Sequence, residues 1–139
     1  MNETLLVDTG PLVAFLNRRD RHHAWAVATL GELPPPLLTC EAVISEACFL
    51  LRASPGGVSA VMALVERGLV GLGFRAEAEV PALRKLLARY ADIPMSFADA
   101  CLVRMSELHA SCRLLSLDQD FHVYRRHGRQ SIPLLTPQG

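Results

Sequence analysis

Short apolar runs that alternate with segments of helical period predict an α/β domain over residues 1–139, with a parallel sheet flanked by helices in an α/β/α arrangement. Three observations carry this prediction. Leu5 to Val7 is a short apolar run closed by Asp8, and Leu114-Leu115-Ser116-Leu117 is another, closed by Asp118. Between them lie several segments with the 3.6-residue period of amphipathic helices, the kind of crossover that parallel strands require. No internal repeat, linker or low-complexity stretch divides the chain, so one domain is expected. At 139 residues, 50% of them hydrophobic, it is long enough to bury roughly two thirds of its unfolded surface.

Taken in order, Leu5 to Val7 reads as a buried strand, and Gly10-Pro11 opens a helix through about Asn17, proline being tolerated in a first helical turn. A second helix is expected from about Arg21 to Leu30, with Ala24, Val27, Ala28 and Leu30 on its apolar face. Pro34-Pro35-Pro36 separates it from a short strand from Leu37 to Thr39 or Cys40. A helix then runs from Cys40 or Glu41 to about Ala53, ended by Ser54-Pro55-Gly56-Gly57, and Val58 to Arg67 reads as another. After a short strand around Leu69 to Phe74, Ala76 to Tyr90 is amphipathic, with Val80, Leu83, Leu86 and Leu87 expected inward. Phe97 to His109 is a helix, Arg113 to Leu117 a strand, Asp120 to Arg126 a short helix, and Ile132 to Leu135 a final strand.

Net charge is zero, with 14 basic and 14 acidic residues, which argues against nucleic-acid binding by bulk electrostatics. The basic set is 13 arginines and one lysine, clustered at Arg18-Arg19-Asp20-Arg21 and at Arg125-Arg126 with Arg129. Arginine suits bidentate phosphate contacts, although such clusters are more often solvated faces. The four cysteines include no C-x-x-C pair and read as buried free thiols in a reducing compartment. The acidic start Met1-Asn2-Glu3-Thr4 does not resemble a signal peptide, and no apolar run reaches the roughly 18 residues of a membrane span. A cytoplasmic protein without a membrane partner is the expectation.

Four carboxylates stand where a charge is costly unless paired or bound to a cation. Asp8 follows the first strand and Asp118 follows Leu114-Leu115-Ser116-Leu117; in a doubly wound sheet both belong to the crevice at the carboxyl ends of the strands. Glu46 lies beside a helix face defined by Val43, Ala47 and Leu50, and Asp99 falls in the first turn after Pro94. Each has a plainer explanation. Asp8 can serve a helix start, with Gly10 leaving room for a ligand at the backbone. Glu46 can pair with Arg52, Ser96-Phe97-Ala98-Asp99 has the spacing of a capping box, and Asp118 and Asp120 can simply form a turn. Glu41 rivals Glu46 but better suits a helix cap. Together, hard oxygen donors of this kind fit Mg²⁺ or Mn²⁺ and phosphoryl chemistry. The histidines show no zinc spacing: His22 and His23 suit surface or packing roles, and His109, His122 and His127 have no i, i+4 partner. No P-loop and no G-x-S-x-G elbow is present.

Leu6-Val7-Asp8-Thr9-Gly10-Pro11-Leu12-Val13-Ala14, Ile44-Ser45-Glu46-Ala47, Ser96-Phe97-Ala98-Asp99-Ala100 and Leu115-Ser116-Leu117-Asp118-Gln119-Asp120-Phe121 together resemble the PIN domain, and most closely its VapC-type toxins. The resemblance covers nearly the whole chain. It implies a small parallel-sheet α/β/α domain in which Asp8, Glu46 and Asp99 take three core acidic positions and Asp118 the fourth, with Asp120 the alternative and Thr9 assisting. It further implies that these carboxylates hold Mg²⁺ or Mn²⁺ for endonucleolytic cleavage of RNA, with a metal-activated water attacking in line to leave a 5′-phosphate and a 3′-hydroxyl. A homodimer and a cognate antitoxin encoded alongside are implied partners. The alternative is a non-catalytic PIN-like module that binds RNA or protein. A phosphoacceptor domain would need a strand-end lysine, and a haloacid-dehalogenase-like phosphatase an aspartate at position 10; the chain has neither.

Overall fold

The computed structural model describes residues 3–137, so Met1 and Asn2 of the acidic N-terminal segment lie outside the described residues. Five parallel strands form one sheet in the order β3-β2-β1-β4-β7, where β1 is Thr4–Val7, β2 Leu37–Leu38, β3 Val70–Gly71, β4 Cys112–Leu115 and β7 Leu134–Leu135. Six helices flank it: α1 Thr9–Leu16, α2 His23–Glu32, α3 Glu41–Leu50, α4 Gly57–Glu66, α5 Val80–Arg89 and α6 Phe97–Leu108. The expected α/β/α class is what the chain adopts.

The order of the strands fixes where chemistry belongs. From β1 the chain winds outward to β2 and β3, then returns to lay β4 against the other side of β1, with β7 beyond it. The carboxyl ends of β1 and β4 therefore flank the point where the winding reverses, the place where open α/β sheets bind ligands. Both strands are apolar at their carboxyl ends because helices cover both faces there: Leu6, Val7, Leu114 and Leu115 are fully buried. Their register pairs Val7 with Leu115, and the Asp8 N–H donates to the Leu115 carbonyl at 2.9 Å. Asp8 and Ser116 thus leave the sheet at the same level.

Several expectations are corrected. The buried residue of α2 is Ala26, while Ala24, Val27 and Ala28 face outward. In a ten-residue helix so rich in alanine the pattern has little contrast, and packing against α1 decides the face. Val80 is exposed, because the segment from Ala76 to Glu79 is a 3₁₀ turn and α5 begins only at Val80. Leu50 and Glu46 are both exposed, so Glu46 is not a charge on an apolar face. The helix expected from Asp120 to Arg126 is a 3₁₀ turn, Gln119–His122, followed by a hairpin of β5 (Arg125–Arg126) and β6 (Gln130–Ser131). His127 and Gly128, with φ of 53° and 81°, turn the chain there, a left-handed conformation that ends any helix. The last strand is shorter than Ile132 to Leu135, and that around Leu69 to Phe74 contracts to two residues.

Candidate active site

Asp8 caps the N-terminus of α1 and is buried. Its Oδ1 accepts the Thr9 N–H at 2.7 Å and its Oδ2 accepts the Ser116 hydroxyl at 2.8 Å. The same Ser116 oxygen accepts the Asp118 N–H at 3.0 Å, so one hydroxyl ties the first acid to the loop that carries the fourth. The Thr9 hydroxyl donates to Glu46 Oε1 at 2.6 Å, linking the start of α1 to the outer side of α3. The Arg52 guanidinium, once a conceivable partner for Glu46, instead lies over the Phe49 ring and donates to the Phe49 carbonyl.

Asp99 keeps the capping role expected of it and also lines the cleft. Its N–H donates to Ser96 Oγ at 3.0 Å, and its own carboxylate reaches back to the Ser96 N–H, completing a capping box at the head of α6. Its Oδ2 also accepts the Tyr124 hydroxyl at 2.9 Å. Tyr124 is fully buried, edge-to-face against Tyr90 and Phe121, so this donor is rigidly held. Sequence reasoning missed Tyr124. It lies 25 residues beyond Asp99 in a segment without periodicity, and no local signal relates the two. Asp118 Oδ1 accepts the Asp120 N–H at 2.9 Å and caps the 3₁₀ turn, the aspartate-rich turn foreseen as its plain explanation. Glu41 lies at the start of α3, exposed and away from the cleft residues, and Cys40 occupies the cap position without a side-chain bond.

Asp8, Glu46, Asp99, Asp118 and Asp120 all line one open cleft of about 460 Å³, with Thr9, Gly10 and Ser96. No lysine, arginine or histidine is among its lining residues. Gly10 serves packing more than access: a Cβ there would meet the Leu117 side chain at 3.2 Å, so the glycine lets the 117 loop close against α1. The uncompensated charge shows in the acids themselves. Burial raises the Asp8 carboxyl to about 6, the Thr9 and Ser116 hydrogen bonds opposing the rise and the charges of Asp99 and Asp118 adding to it. Burial likewise raises Asp99, against the Tyr124 and Ser96 hydrogen bonds and with a further push from Asp118.

Larger clefts exist, but size does not make them sites. The one of about 610 Å³ between α5, α6 and the β5–β6 hairpin has its acids already neutralised, Arg104 reaching Glu79 at 2.7 Å and Glu107 at 3.1 Å. The acidic cleft has no such compensation, and its donors are hard oxygens suited to a divalent cation. Among the described residues no three such side chains are gathered into a ready-made cage, so the donors stand around the cleft rather than at a point.

Comparison with known proteins agrees with this architecture. No curated protein sequence is detectably similar. The crystal structure of Mycobacterium tuberculosis VapC20, a sarcin–ricin loop cleaving toxin, superposes with a TM-score of 0.76 at 24% identity, covering 86% of this chain and 94% of that one. That likeness supports the fold. The family model for the PIN domain matches residues 5–126, which span every strand and acid of the cleft except β6 and β7, and the chain therefore belongs to the PIN-domain family.

Proposed function

We propose that this chain is a metal-dependent endoribonuclease, the toxin of a toxin–antitoxin pair, with Asp8, Glu46, Asp99 and Asp118 as its metal-holding and catalytic acids. The observation that carries the reading is the gathering of four carboxylates, from the β1–α1 junction, α3, α6 and the loop after β4, into one cleft that no lysine, arginine or histidine lines. Family membership and the likeness to a toxin that cleaves RNA at the sarcin–ricin loop support it. Mg²⁺ or Mn²⁺ bound by these residues would supply an acidified water and charge stabilisation for the phosphoryl oxygens.

The chain's own groups set the stage. Ser116 and the Thr9 N–H orient the Asp8 carboxylate, the Thr9 hydroxyl orients Glu46, and Tyr124 orients Asp99. These hydroxyls are donors committed to carboxylates, which suits positioning rather than nucleophilic attack. Orienting partners of this kind are worth about 10–100-fold in metal affinity or activity. A cognate antitoxin and a second copy of the chain are the proposed protein partners, and the compartment the cytoplasm. No helix among the described residues is long and apolar enough to cross a membrane.

The test is cleavage of a mixed RNA pool that includes a sarcin–ricin loop oligonucleotide, across Mg²⁺ and Mn²⁺ titrations, with Asp8→Asn protein as control. Metal-dependent cleavage absent from the variant is the expected outcome. Equal behaviour of the two proteins would leave the acids a binding or structural role and favour the non-catalytic module.

A further inference from the structure

Beside the acidic cleft lies a smaller hollow of about 200 Å³ that, unlike it, is lined by an arginine and two histidines. Arg21, His22 and His122 line it, and Leu117 and Asp118 form a wall that it shares with the acidic cleft. Thr136, just past β7, closes its far side. Since β4 lies between β1 and β7, and neighbouring strands are about 4.8 Å apart, the hollow lies roughly 5–10 Å along the sheet edge from Asp8.

Its one arginine is uncommitted and the backbone that carries it is fixed. Arg21 is exposed, and among the described residues it has no carboxylate within ion-pair distance, Asp20 included. The loop that carries it is a hydrogen-bonded turn. Asp20 Oδ1 accepts the His22 N–H at 2.9 Å, the Asp20 N–H donates to the Asn17 carbonyl, and the His23 N–H donates to the Asp20 carbonyl. His23 Nδ1 lies 2.7 Å from the Ala14 carbonyl and pins the start of α2 to α1. In the other arginine cluster, Arg125 and Arg126 are spent on structure and Arg129 is exposed on the β5–β6 turn. Arg126 binds the Ser106 and His109 carbonyls, and Arg125 binds those of His122 and Tyr124.

We propose that this hollow is a phosphate subsite for the RNA strand, holding a backbone phosphate one or two nucleotides from the scissile one. The inference rests on the ribonuclease reading. An acidic cleft repels a polyanion, and the substrate must be drawn in from beside it. A contact to a flanking phosphate supplies attraction and fixes the register of the strand without reading a base. Leu117 and Asp118 line both clefts, so the flanking phosphate would lie across this shared wall from the proposed metal-holding acids.

The experiment measures kcat/KM on a short single-stranded RNA with a mapped cleavage site, against salt, for the wild type, Arg21→Ala, His122→Ala and, as a charge control, Arg84→Ala on the outer face of α5. Each lost phosphate contact on a single strand should make the slope of log(kcat/KM) against log[salt] shallower by about 0.7. That change is expected for Arg21→Ala and not for Arg84→Ala. Methylphosphonate placed at each phosphate in turn should slow the wild type at one position flanking the cut, and the same substitution should cost Arg21→Ala nothing further. Cleavage with unchanged slope and an unchanged methylphosphonate profile in Arg21→Ala overturns the subsite alone. No cleavage by the wild type at any divalent-ion concentration overturns the nuclease reading and the subsite with it.

Discussion

Asp8 sets the cost of a buried carboxylate against its proposed metal-holding role in one side chain. Its carboxyl is raised from 3.8 to about 6 chiefly by burial, so the metal-free folded state binds its proton more tightly than the unfolded chain does. Between those values the native state holds more protons, and stability falls as pH rises from about 4 to 6; above 6 the whole penalty is present. Asp8→Asn removes the charge and leaves an oxygen to accept the Thr9 N–H. In EDTA at pH 7.5 the variant should be more stable than the wild type by on the order of 2 kcal/mol, with the gap closing towards pH 4. Urea unfolding at the two pH values measures it, and a gap independent of pH would show that the burial of Asp8 is not the cause. Tyr124→Phe makes the complementary prediction. The ring stays packed against Tyr90 and Phe121, but Asp99 loses its best-held donor. Metal affinity and cleavage should each drop by about tenfold or more, read by metal titration and by initial rates. An unchanged metal affinity would mean that the Tyr124 hydroxyl serves packing alone.

At the scale of elements, the parts of this fold legible in the sequence were those whose chemistry is local. β1 and β4 could be read because an apolar run ends in an aspartate, and the head of α6 because the capping spacing of Ser96 and Asp99 is written within four residues. The same locality exposed Asp8, Asp99 and Asp118 as candidates. Glu46 reached the cleft for a reason other than the one inferred: it is exposed and held by Thr9, 37 positions away. What stayed hidden depends on distant partners. The β5–β6 hairpin is two residues a side, too short for a period of two, and it exists because Arg126 reaches across to the C-terminal end of α6. There its buried guanidinium accounts for the otherwise orphaned Ser106 and His109 carbonyls, although its Nε finds no partner. Arg126→Ala should therefore cost about 2–4 kcal/mol, far more than loss of the exposed Arg129. Denaturant unfolding decides, and similar costs for the two would make Arg126 an ordinary surface arginine.

Across the whole molecule, the apolar surface is uneven in a way that bears on assembly. Val58 and Met62, one turn apart on the outer stripe of α4, are 42% and 45% exposed, and Phe49 and Leu50 at the end of neighbouring α3 are 59% and 52% exposed. Isolated exposed apolar residues need no explanation, whereas a group on two adjoining helices is the usual mark of a contact surface. Leu50 also lines the acidic cleft, so a second copy seated there would border the site and narrow the approach of the RNA. If the proposed homodimer uses this surface, Met62→Arg should shift the protein to monomer in sedimentation equilibrium while its thermal unfolding at low concentration changes little, since the residue is half exposed in the single chain. The same substitution on a monomeric wild type would alter nothing. A dimer that survives it would place the interface elsewhere. Cleavage by the monomeric variant separates the remaining possibilities: retained kcat with altered KM means that the partner shapes substrate access, and unchanged constants mean that each chain carries a complete site.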